Sequence, residues 1–149
     1  NISGLRVDAG LTDVKGEGIT ITVSDSINAS SDVYSSTFVV HDTTLMQLVN
    51  DLKLAGAKAI SVNDERIVAM TEFLCVGPAV KINGTKIFAP FVIKAIGNPS
   101  DLEAAVRESS VFTNTNIRLN LNISQEKELN VGAYNKSYRN SIVLLEDYE

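Results

Sequence analysis

Few residues of this chain have types and spacing that could do chemistry, and they fall in three places. His41-Asp42, in "VVHDTT", sets the one histidine beside a carboxylate, as half of a metal site or an acid/base couple would. Asp64-Glu65-Arg66, in "AISVNDERIV", places two acids and a base in consecutive positions between two apolar runs. Cys75, in "FLCVG", is the sole thiol.

Each has a structural reading beside the chemical one. A metal at His41 would need carboxylates gathered from afar, because no second histidine and no cysteine pair accompanies it. His41 is read as capping a strand-to-helix corner. Cys75 lies in a mostly apolar strand, where burial raises a thiol pKa and makes it inert. No "GxSxG" elbow is present, and "GEG" and "NGTK" are too short for a phosphate-cradling loop. The sequence therefore predicts no catalytic residue, no metal ligand and no cofactor site.

The bulk composition bounds the answer. A chain of 149 residues suffices for one domain with a proper core. Thirteen Lys and Arg against 18 Asp and Glu leave a net charge of −5. No basic cluster offsets it, which argues against nucleic acid as a partner. A single cysteine excludes an internal disulfide. The five N-x-Ser/Thr sequons, at Asn1, Asn28, Asn83, Asn122 and Asn135, are read as chance in an Asn-rich chain. The chain begins at Asn1 without a methionine and reads as a piece of something longer, so 1–15 is expected to be a lead-in from an absent anchor or coiled coil, and 16–149 one globular domain.

The positioning elements follow from periodicity. "ITITVSDS" alternates Ile19, Ile21 and Val23 with hydroxylated residues, a half-buried strand. In "HDTTLMQLVNDLKLAGAK" Leu45, Leu48, Val49 and Leu52 make one helical stripe. Asp42, Thr43 or Thr44 is expected to cap it, with Thr44 and Gln47 as a capping box and Gly56 ending it. "ISVNDERIV" and "VKINGTKIF" share one pattern, a hairpin with a two-residue turn at Asn63-Asp64 and Asn83-Gly84. The first turns Ile60, Val62 and Ile67 inward and sets Ser61 opposite Arg66 facing outward. The second turns Val80, Ile82, Thr85 and Ile87 to one side and Lys81 and Lys86 to the other. Asp64-Glu65-Arg66 is thus a corner. After "FVIKAIG", a strand covered on both sides, Asn98 and Pro99 open a second helix with Leu102, Ala105 and Val106 as its stripe. "NIRLNLNIS" alternates as a last strand, and "IVLL" adds an apolar run near the end.

The order is β-α-β-β-α-β. It predicts an α+β, ferredoxin-like fold: an antiparallel sheet with two helices on one face and extended hairpins. The Asn- and Lys-bearing face is left for solvent or contacts. His41, Asp42, Arg66, Lys81 and Lys86 are the candidate surface contacts.

The pieces "AGLTDVKGEGITITVSDS", "VHDTTL", "AGAKAISVNDERI", "INGTKI" and "PFVIKAIGNP", in this order from Ala9 to Val106, resemble the YlxW/YlxX-type proteins. That bacterial family, of unknown function, is found among cell-division and cell-envelope genes of Gram-positive bacteria. The resemblance implies an N-terminal membrane helix, then a coiled coil, then this domain on the extracytoplasmic side of the cell membrane. It also implies a ferredoxin-like fold and no assigned catalytic residues. Where the family carries Gly, this chain has Asp64; the C-terminal third departs from the family pattern. The expected function is a non-enzymatic interaction or scaffold domain of a membrane-anchored envelope protein, with a protein partner or self-association. A small-ligand or ion-sensing module is the alternative.

Overall fold

The computed structural model describes residues 9–25, 40–114 and 119–134. β1 (Val14–Ser24) leads to α1 (Asp42–Leu54), and β7 (Phe91–Ile96) leads to α2 (Pro99–Glu108), the single turn α3 (Ser110–Thr113) and β8 (Asn120–Val131). Between α1 and β7 lie β2 (Ala59–Val62), β3 (Glu65–Arg66), β4 (Phe73–Val76), β5 (Ala79–Ile82) and β6 (Thr85–Ile87). Five strands make one sheet in the order β3-β2-β7-β1-β8, each neighbour antiparallel. β4, β5 and β6 make a second, antiparallel sheet. The class is α+β, as the periodicities predict. No helix among the described residues is long and apolar enough to cross a membrane.

The main core sits between the five-stranded sheet and the helices. Ile19, Ile21 and Val23 of β1 are fully buried against Leu45, Leu48 and Leu52 of α1 and Leu102 and Val106 of α2. Burying the three β1 side chains contributes about 5–9 kcal/mol. A one-residue slip would turn all three to the other face, so this term fixes the register. The small sheet adds Val80, Ile82 and Ile87 to the same core.

The helix ends are set locally. The cap of α1 is His41, the residue read as capping this corner, rather than Asp42, Thr43 or Thr44, and its backbone is extended. Its N–H donates to the Thr44 hydroxyl at 3.4 Å, so the box closes on Thr44 rather than Gln47. At the other end Gly56 takes φ +97, while Ala57 N–H donates to Leu52 O and Gly56 N–H to Lys53 O. This paired closure satisfies two carbonyls that the last turn leaves open. α2 starts as expected, with the Asn98 side chain accepting from Asp101 N–H at 3.1 Å.

Both expected hairpins form in the expected register: Ser61 opposes Arg66, and Lys81 opposes Lys86. Asn63 (φ 47), Asp64 (φ 67), Asn83 (φ 53) and Gly84 (φ 81) all take the left-handed conformation that such turns need. Two features escape the sequence reading. A third hairpin, β4–β5, turns on Gly77-Pro78, with Gly77 at φ +59. α3 is held by the Ser109 hydroxyl, which accepts from Val111 N–H. Phe38–Val39, Asn116–Arg118 and the "IVLL" run lie outside the described residues.

The back face of the large sheet is only partly open. Gly16 pairs with Leu129 but Gly18 pairs with Glu126, so two residues of β1 span three of β8. This bulge reverses which side of β8 faces the helices. Before it, Leu121 and Ile123 pack toward the main core; after it, Leu129 and Val131 turn to the back and bury with Ala59, Ile96 and Val14. The strand continues past Gly18 because the residue has no side chain: a Cβ there would run into the Ala95 carbonyl oxygen. Gly18→Ala is therefore expected to cost about 2 kcal/mol or more through forced separation of β1 from β7, read from the urea midpoint. An unchanged midpoint would contradict this close approach.

Candidate functional site

Arg66 is the residue whose place differs most from expectation. Strand alternation sets it on the back face opposite Ser61, as the sequence reading has it, but that face is covered here, and Ser61 and Arg66 are each only 2% exposed. The reason lies in chain segments distant in sequence. The run leading into β1 and the end of β8 curl across the back of the sheet and reach β3 at its opposite edge. Arg66 Nη1 donates to Thr12 O at 2.7 Å and to Gly132 O at 3.0 Å. The same two segments are tied to each other: Tyr134 N–H donates to Gly10 O at 2.7 Å, and Ala133 N–H to the Asp13 carboxylate at 2.8 Å. Arg66 joins the two edges of the sheet across its back.

The electrostatics fit a structural cation. Burial pulls the Arg66 guanidinium below its ordinary pKa, and the charge of Asp13 partly offsets this. Arginine stays protonated throughout the accessible pH range, so the charge remains. Its own carbonyl accepts from Asn83 Nδ2 at 2.8 Å, which fastens the turn of the small sheet onto β3. Asn63 acts in the same manner toward β7: its Oδ1 accepts from Val92 N–H at 2.6 Å. Both turn asparagines thus serve a left-handed backbone and a tertiary hydrogen bond together. Gly10 completes the packing at φ +76, where a Cβ would collide with Val68.

A second cluster joins α1 to β4. Asp42 Oδ2 accepts from Cys75 N–H at 3.2 Å, and Cys75 Sγ accepts from Asp42 N–H at 3.2 Å. Asp42 Oδ1 takes the N–H of Thr43 at 2.7 Å. The carboxylate is thereby committed to backbone donors at a helix start, where negative charge is favoured. His41 Nε2 is buried with no hydrogen-bond partner among the described residues. Cys75 is exposed rather than buried, because among the described residues β4 is an edge strand paired with β5 alone. Its thiol pKa is still raised, mainly by local desolvation, with the Asp42 contacts acting in both directions. Lys81 and Lys86 stand opposite one another on the outward side of the small sheet, and neither joins an ion pair among the described residues. Among the described residues no three His, Cys, Asp or Glu side chains gather as metal ligands would.

His41 and Asp42 are neighbours at one corner, Arg66 lies within the closed back of the sheet, and the two lysines lie on the small sheet. The structure does not bring the five into one site. Arg66 had one legible signal: a small residue, Ser61, across the pair and the apolar Ile67-Val68 beside it. The partners that bury it lie 54 and 66 residues away.

Comparison with known proteins agrees with this architecture. Residues 1–143 match the family described as "Bacterial protein of unknown function (DUF881)". The chain belongs to that family. It is 31% identical over 126 residues to the UPF0749 protein YlxW of Bacillus subtilis (strain 168), covering 85% of this chain and 54% of the relative. The UPF0749 protein YlxX of the same organism is 30% identical over 140 residues, covering 91% and 59%. The chain thus spans somewhat over half the length of these DUF881 relatives. The crystal structure of an uncharacterized conserved protein from Mycobacterium tuberculosis superposes with a TM-score of 0.75 at 22% identity, over 92% of this chain and 96% of that one. That likeness establishes a shared fold.

Removing Arg66 removes two charge-assisted hydrogen bonds, to the carbonyls of half-buried Thr12 and exposed Gly132, at about 1.5–3 kcal/mol each. Arg66→Ala is expected to lower stability by about 3 kcal/mol or more in urea unfolding. Arg66→Lys should recover only part of this, since one ammonium replaces a fork of donors. Equal stability of Arg66→Ala and the parent would refute the latch. Cys75 gives a pH test. A thiol whose folded pKa is raised contributes stability that is complete below the unfolded thiol pKa and is lost as pH rises through the folded value. Alkylation of Cys75 by iodoacetamide at pH 8 should therefore run slower than in the urea-unfolded chain, despite its exposure. A faster reaction in the folded protein would contradict the assigned direction.

Proposed function

We propose that this DUF881 domain is a non-enzymatic interaction or scaffold module, displayed outside the cytoplasm by a membrane-anchored protein of the cell envelope. The observation that carries the reading is the Arg66 latch. It holds residues 10–13 beside residues 132–134, so the run before β1 and the run after β8 lie together at one corner. A domain hung from one corner presents its remaining surface to partners, and pull applied through the chain is taken by Arg66 and the β1–β8 pairing. Exposed Leu54, Phe88, Met70 and Leu74 give that surface apolar side chains of the kind contacts use. The layout that the resemblance implies, a membrane helix, a coiled coil and an outer domain, favours this location, and the greater length of YlxW and YlxX leaves room for it.

The architecture is read as a ferredoxin-like split fold. Support comes from β8-β1-β7-β2, in which β7 separates the two strands joined through α1, and β8 lies on the far side of β1. The extra strand β3 and the β4-β5-β6 sheet are then elaborations of the β2–β7 connection.

The test is protease access to the full-length protein. Expressed in a Gram-positive host with an epitope in this domain, it should fractionate with membranes and lose the epitope when intact protoplasts meet external protease. Protection of the epitope until the membrane is lysed would overturn the extracytoplasmic reading.

A further inference from the structure

We propose that β8 pairs with β8 of a second copy of this chain, joining two five-stranded sheets into one. The inference rests on the interaction reading above and names the partner. β8 closes one side of the large sheet: it is 12 residues long and pairs with β1 alone among the described residues. A strand edge of that length is a template for another strand unless it is short, charged, bulged or interrupted by proline. β8 uses such protection over only half its length. Glu126, Lys127 and Glu128 sit at the bulge, whereas Asn120 to Gln125 carry no charge and no proline.

The uncharged half is complementary to itself. A two-fold axis at Asn122, perpendicular to the sheet, sets Asn122 against its own copy, Leu121 against Ile123, and Asn120 against Ser124. Apolar residues meet apolar ones and amides meet amides or hydroxyls. An axis at Lys127 would instead oppose Lys127 to itself and Glu126 to Glu128, which like charge disfavours. Leu121 and Ile123 are only partly buried against the core, so pairing would cover surface that is otherwise left wet. An antiparallel pair sets side chains directly opposite with Cβ atoms about 4.5–5.5 Å apart, close enough for a disulfide between cysteines on the axis.

The interface is a strand edge, small for a stable dimer, so weak association is expected. Sedimentation equilibrium up to about 1 mM should show reversible dimerisation of the parent, and Asn122→Lys, at an exposed position, should abolish it while leaving the unfolding midpoint unchanged. In a Cys75→Ser background, Asn122→Cys should form a disulfide dimer on mild oxidation at least about tenfold faster than Ser124→Cys. A parent that stays monomeric over this range, a dimer that Asn122→Lys leaves intact, or equal crosslinking of the two cysteine variants would overturn the proposal. Protease access of the full-length protein is read separately. A monomeric domain that is cleaved from outside leaves the displayed-module reading standing, and a β8 dimer that is protected removes that reading alone.

Discussion

The closure of the sheet's back depends on one buried cation. Arg66 carries its charge into a nearly dry position, and a buried charge is tolerated only where hydrogen bonds replace water. The replacements here are backbone carbonyls of Thr12 and Gly132, with Asp13 supplying opposite charge nearby. Backbone carbonyls are not interchangeable with solvent, so the guanidinium dictates where two chain segments must lie. The sheet has its β3 edge and its β8 edge far apart in strand order, yet Arg66 brings their chains together over the back. The small apolar cluster of Ala59, Ile96, Leu129 and Val131 is buried as a consequence.

The rest of the architecture serves this closure or is independent of it. The main core, with Ile19, Ile21 and Val23 against the leucines of α1, would hold the sheet to its helices without Arg66. The back needs more. It needs a bulge to turn Leu129 and Val131 over, a glycine at 18 to let β1 lie on β7, and a glycine at 10 to pass Val68. Asn83 then fixes the small sheet to the same strand that carries the arginine. These are local devices with one shared result, a domain in which the run before β1 and the run after β8 are fastened together.

How much of this could be read in the sequence varied with the range of the interaction. Period-two and period-3.6 patterns placed β1, α1 and α2, and a mostly apolar run placed β7, because such patterns report burial directly. The turns at Asn63-Asp64 and Asn83-Gly84 were legible because left-handed backbone is a demand on residue type. The cap of α1 fell on His41 rather than on Asp42, Thr43 or Thr44, and histidine, an uncommon cap, left Thr44 to supply the oxygen. The face of Arg66 was legible and its environment was not. Strand alternation gives a side, while burial of that side depends on Thr12 and Gly132, whose approach leaves no local pattern. Cys75 misled for a related reason: apolar neighbours indicated a covered strand, but among the described residues β4 has a partner on one side alone.

Native-state hydrogen exchange on the Arg66→Ala protein tests the latch most directly. Ala133 and Tyr134 donate to Asp13 and Gly10 across the seam that Arg66 holds, while the amides of α1 belong to the main core. The latch predicts that Ala133 and Tyr134 lose protection strongly while Leu48 to Leu52 keep most of theirs relative to the lowered global stability. Protection of Ala133 and Tyr134 that stays as in the parent, or falls only in step with α1, would contradict it.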